Sequence, residues 1–159
     1  MIVEVIAAVG AAVSAIVAAI ALVYSVRTQN KIKVQEQKVQ TMEAFNRLQR
    51  EVLDKMNEVD KKFIESALVN NDKNEISKYS AYLARIEHFA VGVNSDIYDL
   101  QVVRRLGGQY MIGIYNKLIP LIEFKRKRGR NTNLYNEFER MIKNLKETYK
   151  GETHGNLQM

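Results

Sequence analysis

Residues 5–26 read VIAAVGAAVSAIVAAIALVYSV, an apolar run without a charged residue or a proline. About 22 residues at a helical rise of about 1.5 Å cover a bilayer core of about 30 Å. One helix satisfies its own backbone hydrogen bonds in lipid, so such a run crosses a membrane alone. It predicts a transmembrane anchor over residues 1–27. A cleaved signal peptide is the competing reading. The start MIVE has no Lys or Arg, and the run exceeds the usual h-region of about 7–15 residues. Arg27, Lys31, Lys33 and Lys38 follow the run, whereas only Glu4 and the α-amino group precede it. The positive-inside rule therefore places the N-terminus outside and the rest in the cytoplasm. The absence of cysteine suits a reducing compartment.

The anchor is rich in alanine. Gly10, Ser14 and Ala18 recur every four residues, as do Ala7, Ala11, Ala15 and Ala19. Small residues at this spacing let two helix backbones approach, which predicts self-association through Gly10, Ser14 and Ala18. The alternative is an anchor whose alanines simply face lipid.

The remainder reads as helices. Residues 27–69 contain no Gly or Pro and are dominated by helix formers. Apolar residues at Val39, Met42, Phe45, Leu48, Val52, Met56, Val59, Phe63 and Leu68 mark one stripe. This predicts a long connecting helix over residues 28–70, with an allowed break at 28–30. Gln49 interrupts a strict heptad, which favours packing inside a bundle over a sustained coiled coil. A turn follows at 70–74, with Asp72 or Asn74 capping the next helix. That helix carries Ile76, Tyr79, Leu83, Ile86, Ala90 and Val93 on one face. A short helix through Ile97, Leu100, Val103 and Leu106 leads to a turn at Gly107 and Gly108. A helix from Tyr110 to Lys127 follows, with Pro120 expected to kink it. Gly129 ends it, and Asn131 or Thr132 caps the last helix, whose stripe is Leu134, Phe138, Met141, Ile142, Leu145 and Tyr149. The fold class is all-α: a transmembrane helix continuing into a long helix, then an antiparallel helical bundle over 71–150 packed on the end of that helix, with a flexible tail at 151–159.

No constellation has catalytic spacing. There is no cysteine nucleophile, no G-x-S-x-G elbow, and no metal-ligand spacing around His88 or His154. The expectation is a protein that is not an enzyme and holds no cofactor or metal. The densest polar group is Arg85, Glu87, His88, Asn94, Asp96 and Asp99, followed by Arg104 and Arg105. It reads either as a structural ion-pair network or as a site for a ligand or partner. The second feature is Lys125, Arg126, Lys127, Arg128 and Arg130. Residues 104–150 hold 12 Lys and Arg against 4 Asp and Glu, whereas 70–103 hold 3 against 5, so positive charge concentrates in the last third. Such a cluster suits a helix C-terminus, anionic lipid headgroups, or nucleic acid or a nucleotide.

The stretch 84–99, ARIEHFAVGVNSDIYD, together with Arg104, Arg105 and the segment from Tyr115 through Pro120 to Arg126, resembles a family of small bacterial single-pass membrane-anchored helical proteins of unknown function. Glu87, Ala90, Gly92 and Asp99 match its E-x-x-A-x-G helix and downstream Asp. The resemblance implies an all-helical cytoplasmic domain on a bacterial inner membrane and brings no assigned activity. The expected role is a self-associating, membrane-anchored scaffold or sensor with a basic cytoplasmic domain. Its expected partners are the membrane, further copies of the chain and, at the basic cluster, anionic lipid. The alternative is a membrane effector triggered by an anionic ligand or nucleic acid, as in bacterial defence.

Overall fold

The computed structural model describes the backbone of residues 2–155 and the side chains of Ala18 and of residues 20–150. Among the described residues every regular element is helical. Helix α1 is Ile2–Leu48, a π-helical turn follows at Gln49–Leu53, and α2 is Asp54–Asn57. Then come α3 (Lys61–Val69), α4 (Lys73–Asn94), α5 (Leu100–Gly129) and α6 (Asn136–Gly155). The chain divides into two compact units, residues 1–37 and 38–159.

The first unit holds the part of helix α1 up to Gln37. Its described side chains are exposed, apart from a half-buried Gln37. Helix persists through the expected break at 28–30, where the Thr28 hydroxyl donates to the Tyr24 carbonyl at 2.9 Å and keeps its hydrogen bond within the helix. Among the described residues no helix is long and apolar enough to cross a membrane. Most side chains of the expected anchor, including Gly10 and Ser14, lie outside the described residues; Ala18 is exposed.

The second unit is a bundle in which α4 packs on α6, α3 on α5 and α5 on α6. Its core takes Phe45, Leu48, Val52, Leu53 and Met56 from the first helical stretch. Tyr79, Leu83 and Ile86 come from α4, Met111, Ile114, Leu118 and Leu121 from α5, and Phe138, Met141 and Leu145 from α6. The π turn adjusts the register of the first stretch. Leu48, Val52 and Met56 are buried as the expected stripe predicts, and Leu53, in the wider turn, joins them. Val39 and Met42, expected on that stripe, are exposed.

The connecting helix does not run to residue 69. It stops at Asn57, and Asp60 starts α3 by accepting from the Lys62 amide at 3.2 Å. The carbonyls left at the stop are taken by Lys117, whose Nζ donates to Asn57 O at 3.1 Å and to Met56 O at 3.4 Å. A cation at a helix C-terminus also suits the helix dipole. This break carries no Gly or Pro, so local composition does not mark it. Phe63, expected inward, consequently sits 54% exposed. Asp72 caps α4 through the Asn74 and Glu75 amides.

Gly107 has non-helical dihedrals and marks a kink at which two helical segments of α5 meet, close to the expected turn. The glycines also allow close packing. A Cβ on Gly107 would lie 2.7 Å from Phe45 Cζ, and one on Gly108 would lie 2.5 Å from the Tyr149 hydroxyl. Pro120 lies inside α5 and keeps helical dihedrals. Its missing N–H leaves the carbonyl of Asn116, an exposed residue, without that helical bond. The last helix starts at Asn136, not near 131–132, and its backbone continues to Gly155 across the start of the expected tail.

Two glycines of α5 separate packing from propensity. Gly107→Ala forces a Cβ into the buried Phe45 ring and costs about 1–3 kcal/mol. Gly113→Ala meets nothing within 4 Å and stabilises by about 0.5–1 kcal/mol. Urea-denaturation midpoints of the two variants should move in opposite directions. Burial, and after it the hydrogen bond to Glu75, raise the Tyr79 phenol well above its usual pKa. The raised folded value means that the neutral phenol stabilises the fold below the unfolded pKa of about 10, and that this contribution is lost as pH rises beyond it. Tyr79→Phe should therefore flatten the fall in stability above about pH 10, read from denaturation midpoints across a pH series.

Candidate functional site

Helix α4 presents two different faces around residues 84–98. One side enters the core. The other meets the end of α1 and the π turn across a groove of about 400 Å³, lined by Ala44, Arg47, Leu48, Glu51, Ala84, Arg85, His88, Phe89 and Tyr98. Leu48 and Phe89 form its buried apolar floor, and the alanines keep it open. Arg85 Nη1 meets Glu51 Oε2 at 2.8 Å, an exposed ion pair of small energetic weight that nevertheless orients the guanidinium. Arg47 and His88 are exposed and have no carboxylate partner among the described residues.

Tyr98 is positioned by the C-terminus of α4. Asp96 adopts a left-handed φ of 56°, which its short polar side chain tolerates. The chain then folds back, and the Ile97 and Tyr98 amides both donate to the Gly92 carbonyl, at 2.9 and 3.0 Å. The Tyr98 ring lies on Gly92, where a Cβ would come within 2.5 Å of it, and stacks on Phe89 at 5.3 Å and 21°. Next, Asp99 caps α5 by accepting from the Gln101 and Val102 amides, while its own amide donates to the buried Thr41 hydroxyl at 2.8 Å. One short loop thus aligns the end of α1, α4 and α5.

The polar residues expected as one network are distributed over separate tasks. Glu87, on the far side of α4, accepts from the backbone amides of Glu137 at 3.1 Å and Phe138 at 2.7 Å. It is the cap of α6, supplied from 50 residues upstream in place of Asn131 or Thr132. Asn94 reinforces it by donating to the Glu137 carbonyl and carboxylate, both at 2.8 Å, and Arg140 donates to Asn94 O at 3.1 Å. Burial, then the nearby Glu87 charge, raise the Tyr135 phenol above its usual pKa. Arg104 lies 5.2 Å from the Tyr149 ring centre, and the Tyr149 hydroxyl donates to its carbonyl. Arg105 is exposed. Only Arg85 and His88 of the expected group line the groove.

The basic cluster also divides. Arg126 is structural: Nε donates to Leu134 O at 2.9 Å, and Nη2 reaches Asn136 Oδ1 at 2.9 Å and Glu139 Oε2 at 2.8 Å. It clamps the turn between α5 and α6. Lys125 is half-buried, and Lys127, Arg128 and Arg130 are exposed. The Arg128 guanidinium lies 5.9 Å from the Phe124 ring centre. Arg130 ends α5 in the left-handed region at φ 48°, one residue beyond the Gly129 expected there.

A larger, shallow concavity of about 790 Å³ follows α6, but Lys143 and Lys146 alternate there with Glu139 and Glu147 and leave no consistent charge. Among the described residues no three His, Asp or Glu side chains are grouped to hold a metal ion. Sequence reasoning missed Arg47, Glu51 and Tyr98 as site residues. Arg47 and Glu51 are four apart on one helix, so a shared face beside Leu48 was readable. Tyr98 depends on the folded-back loop and was not.

Residues 8–145 match the family described as a domain of unknown function, DUF4760, and the chain belongs to it. No curated protein and no solved structure matches the chain significantly.

The capping geometry has a direct test. Glu87→Ala leaves two α6 amides without their acceptor and should cost about 2 kcal/mol. Thr132→Ala, at an exposed position, should stay within about 0.5 kcal/mol of the parent in the same denaturation assay.

Proposed function

We propose that this DUF4760 chain is a membrane-anchored, self-associating helical scaffold or sensor. In this reading residues 5–26 cross the membrane with the N-terminus outside, and the basic bundle lies in the cytoplasm. One observation carries it. Ile20, Leu22, Val23, Tyr24 and Val26 are each about half to three-quarters exposed on α1. At about 100° per residue these positions cover the helix apart from the arc of Ala21 and Ser25, and a helix so broadly apolar needs burial in protein or lipid. The sequence upstream to residue 5 is apolar as well, so lipid suits the whole run. Tyr24 and Arg27 then fall where an aromatic ring and a cation favour the membrane interface. The row Gly10, Ser14 and Ala18 supplies the face for association.

A sensor needs the bundle and the anchor to share an element. Helix α1 is that element, since it enters the core at Phe45 and Leu48 and carries Ala44 and Arg47 into the groove. A change in the packing of the groove acts on α1 directly.

The chain expressed in cells should remain in the membrane pellet after alkaline carbonate washing. Ile16→Asp combined with Ala12→Asp, at about 3 kcal/mol per central Asp, should move it to the supernatant. Release of the unsubstituted chain by carbonate overturns the anchor. Light scattering in detergent should give a defined oligomer that Gly10→Leu with Ser14→Leu reduces in mass. An unchanged mass removes that row from the interface.

A further inference from the structure

The α1–α4 groove holds polar groups that the fold does not use. Arg47 has no ion-pair partner among the described residues, and neither does His88. Only Nη1 of Arg85 is engaged by Glu51, leaving the other donors of its guanidinium free. No described residue bonds the Tyr98 hydroxyl, although the ring itself is held against Gly92 and Phe89. Elsewhere in the bundle Lys117, Arg126 and Arg140 donate to carbonyls or carboxylates. The same groove has an apolar lining: the buried Leu48 and Phe89, together with Ala44, Ala84 and the Tyr98 ring stacked on Phe89. The volume, about 400 Å³, falls at the small end of ligand sites.

We propose that this groove binds a small amphiphilic carboxylate, with a planar apolar body resting between Ala44, Ala84 and the Tyr98 ring and its carboxylate taken by Arg47 and Arg85. The chemistry follows from the lining. Two guanidiniums and an imidazole against one carboxylate leave room for a single added negative charge. A guanidinium fork matches the two oxygens of a carboxylate. His88 supplies a further donor in the same lining. The flat ring fixed by Gly92 favours a flat ligand by offset stacking. Gly92 therefore has a purpose beyond packing, because any side chain there displaces Tyr98 and removes the end wall.

The proposal does not rest on the membrane reading, since its readout is binding and not location. Calorimetry on the detergent-solubilised full chain, corrected for empty micelles, uses 2-naphthoate as probe and 2-naphthamide as its uncharged twin. One saturable naphthoate site per chain is expected, with the amide at least about tenfold weaker, the size of a charge-assisted hydrogen bond. Arg47→Met, at an exposed position, should weaken naphthoate about tenfold. Ala84→Phe, also on the surface, fills the slot and should abolish binding while thermal melting stays near the parent value. Absence of saturable naphthoate binding overturns the proposal. So does equal affinity for the amide, or unchanged binding in Ala84→Phe.

Discussion

The carboxylate of Glu87 on the first amides of α6 is the contact on which the arrangement of the bundle depends. A helix start leaves backbone N–H groups without partners, and these need an acceptor wherever water is excluded. Glu87 supplies one from the middle of α4, with a charge that also suits the positive end of the α6 dipole. Asn94, two turns further along α4, takes the Glu137 carbonyl and carboxylate. The same helix therefore fixes both the depth and the direction of α6. With α6 so placed, Phe138 meets Tyr115 of α5 edge-on at 5.2 Å, and Leu145 and Tyr149 close over Gly108.

The opposite face of α4 is organised by a second local device. The fold-back onto the Gly92 carbonyl, the left-handed Asp96 and the Asp99 cap turn the chain through one short loop. That loop delivers a ring to the groove and an amide to Thr41. Thr41 is a buried polar residue in an otherwise apolar setting, and its hydroxyl accepts from Asp99 N. Helix α4 thus acts as a partition, with a structural charge network on one side and a groove with unspent donors on the other. The two sides are served by consecutive residues, Glu87 and His88.

Much of this was legible in the chain because local chemistry decided it. The α4 stripe from Ile76 to Val93 is buried as its spacing demands, and Asp72 caps the helix that follows it. What was illegible depends on distant partners. The stop at Asn57 has no Gly or Pro and is held by Lys117, about 60 residues away. The start of α6 is set by Glu87, not by the Asn and Thr beside it. The π turn at Gln49–Leu53 has no compositional mark either, although the broken heptad at Gln49 was its trace. Gly107 and Gly108 marked the kink in α5, but that they also admit Phe45 and Tyr149 at close range was visible only once those side chains were in place. The polar residues of 85–105 looked like one cluster because they are close in sequence, but helical geometry sends Glu87 and His88 to different faces.

The excess of basic residues becomes interpretable once each cation is assigned to what it touches. Arg126, Lys117 and Arg140 are consumed by the fold, since each closes a carbonyl or carboxylate that helix ends and turns leave open. Removing any of them acts on stability, and their charge is not available to a ligand. Lys127 and Arg130 at the end of α5 and Arg47 beside the groove form no ion pair among the described residues. The first two stand on an open helix end where any polyanion or solvent can reach them, and the helix dipole alone accounts for their sign. Arg47 differs because it borders an apolar slot with a fixed aromatic wall. A cation next to a partly desolvated surface interacts more strongly with an incoming anion than one in bulk water, because the local dielectric is lower. Charge and shape therefore coincide in the groove, whereas in the basic run charge alone is dense.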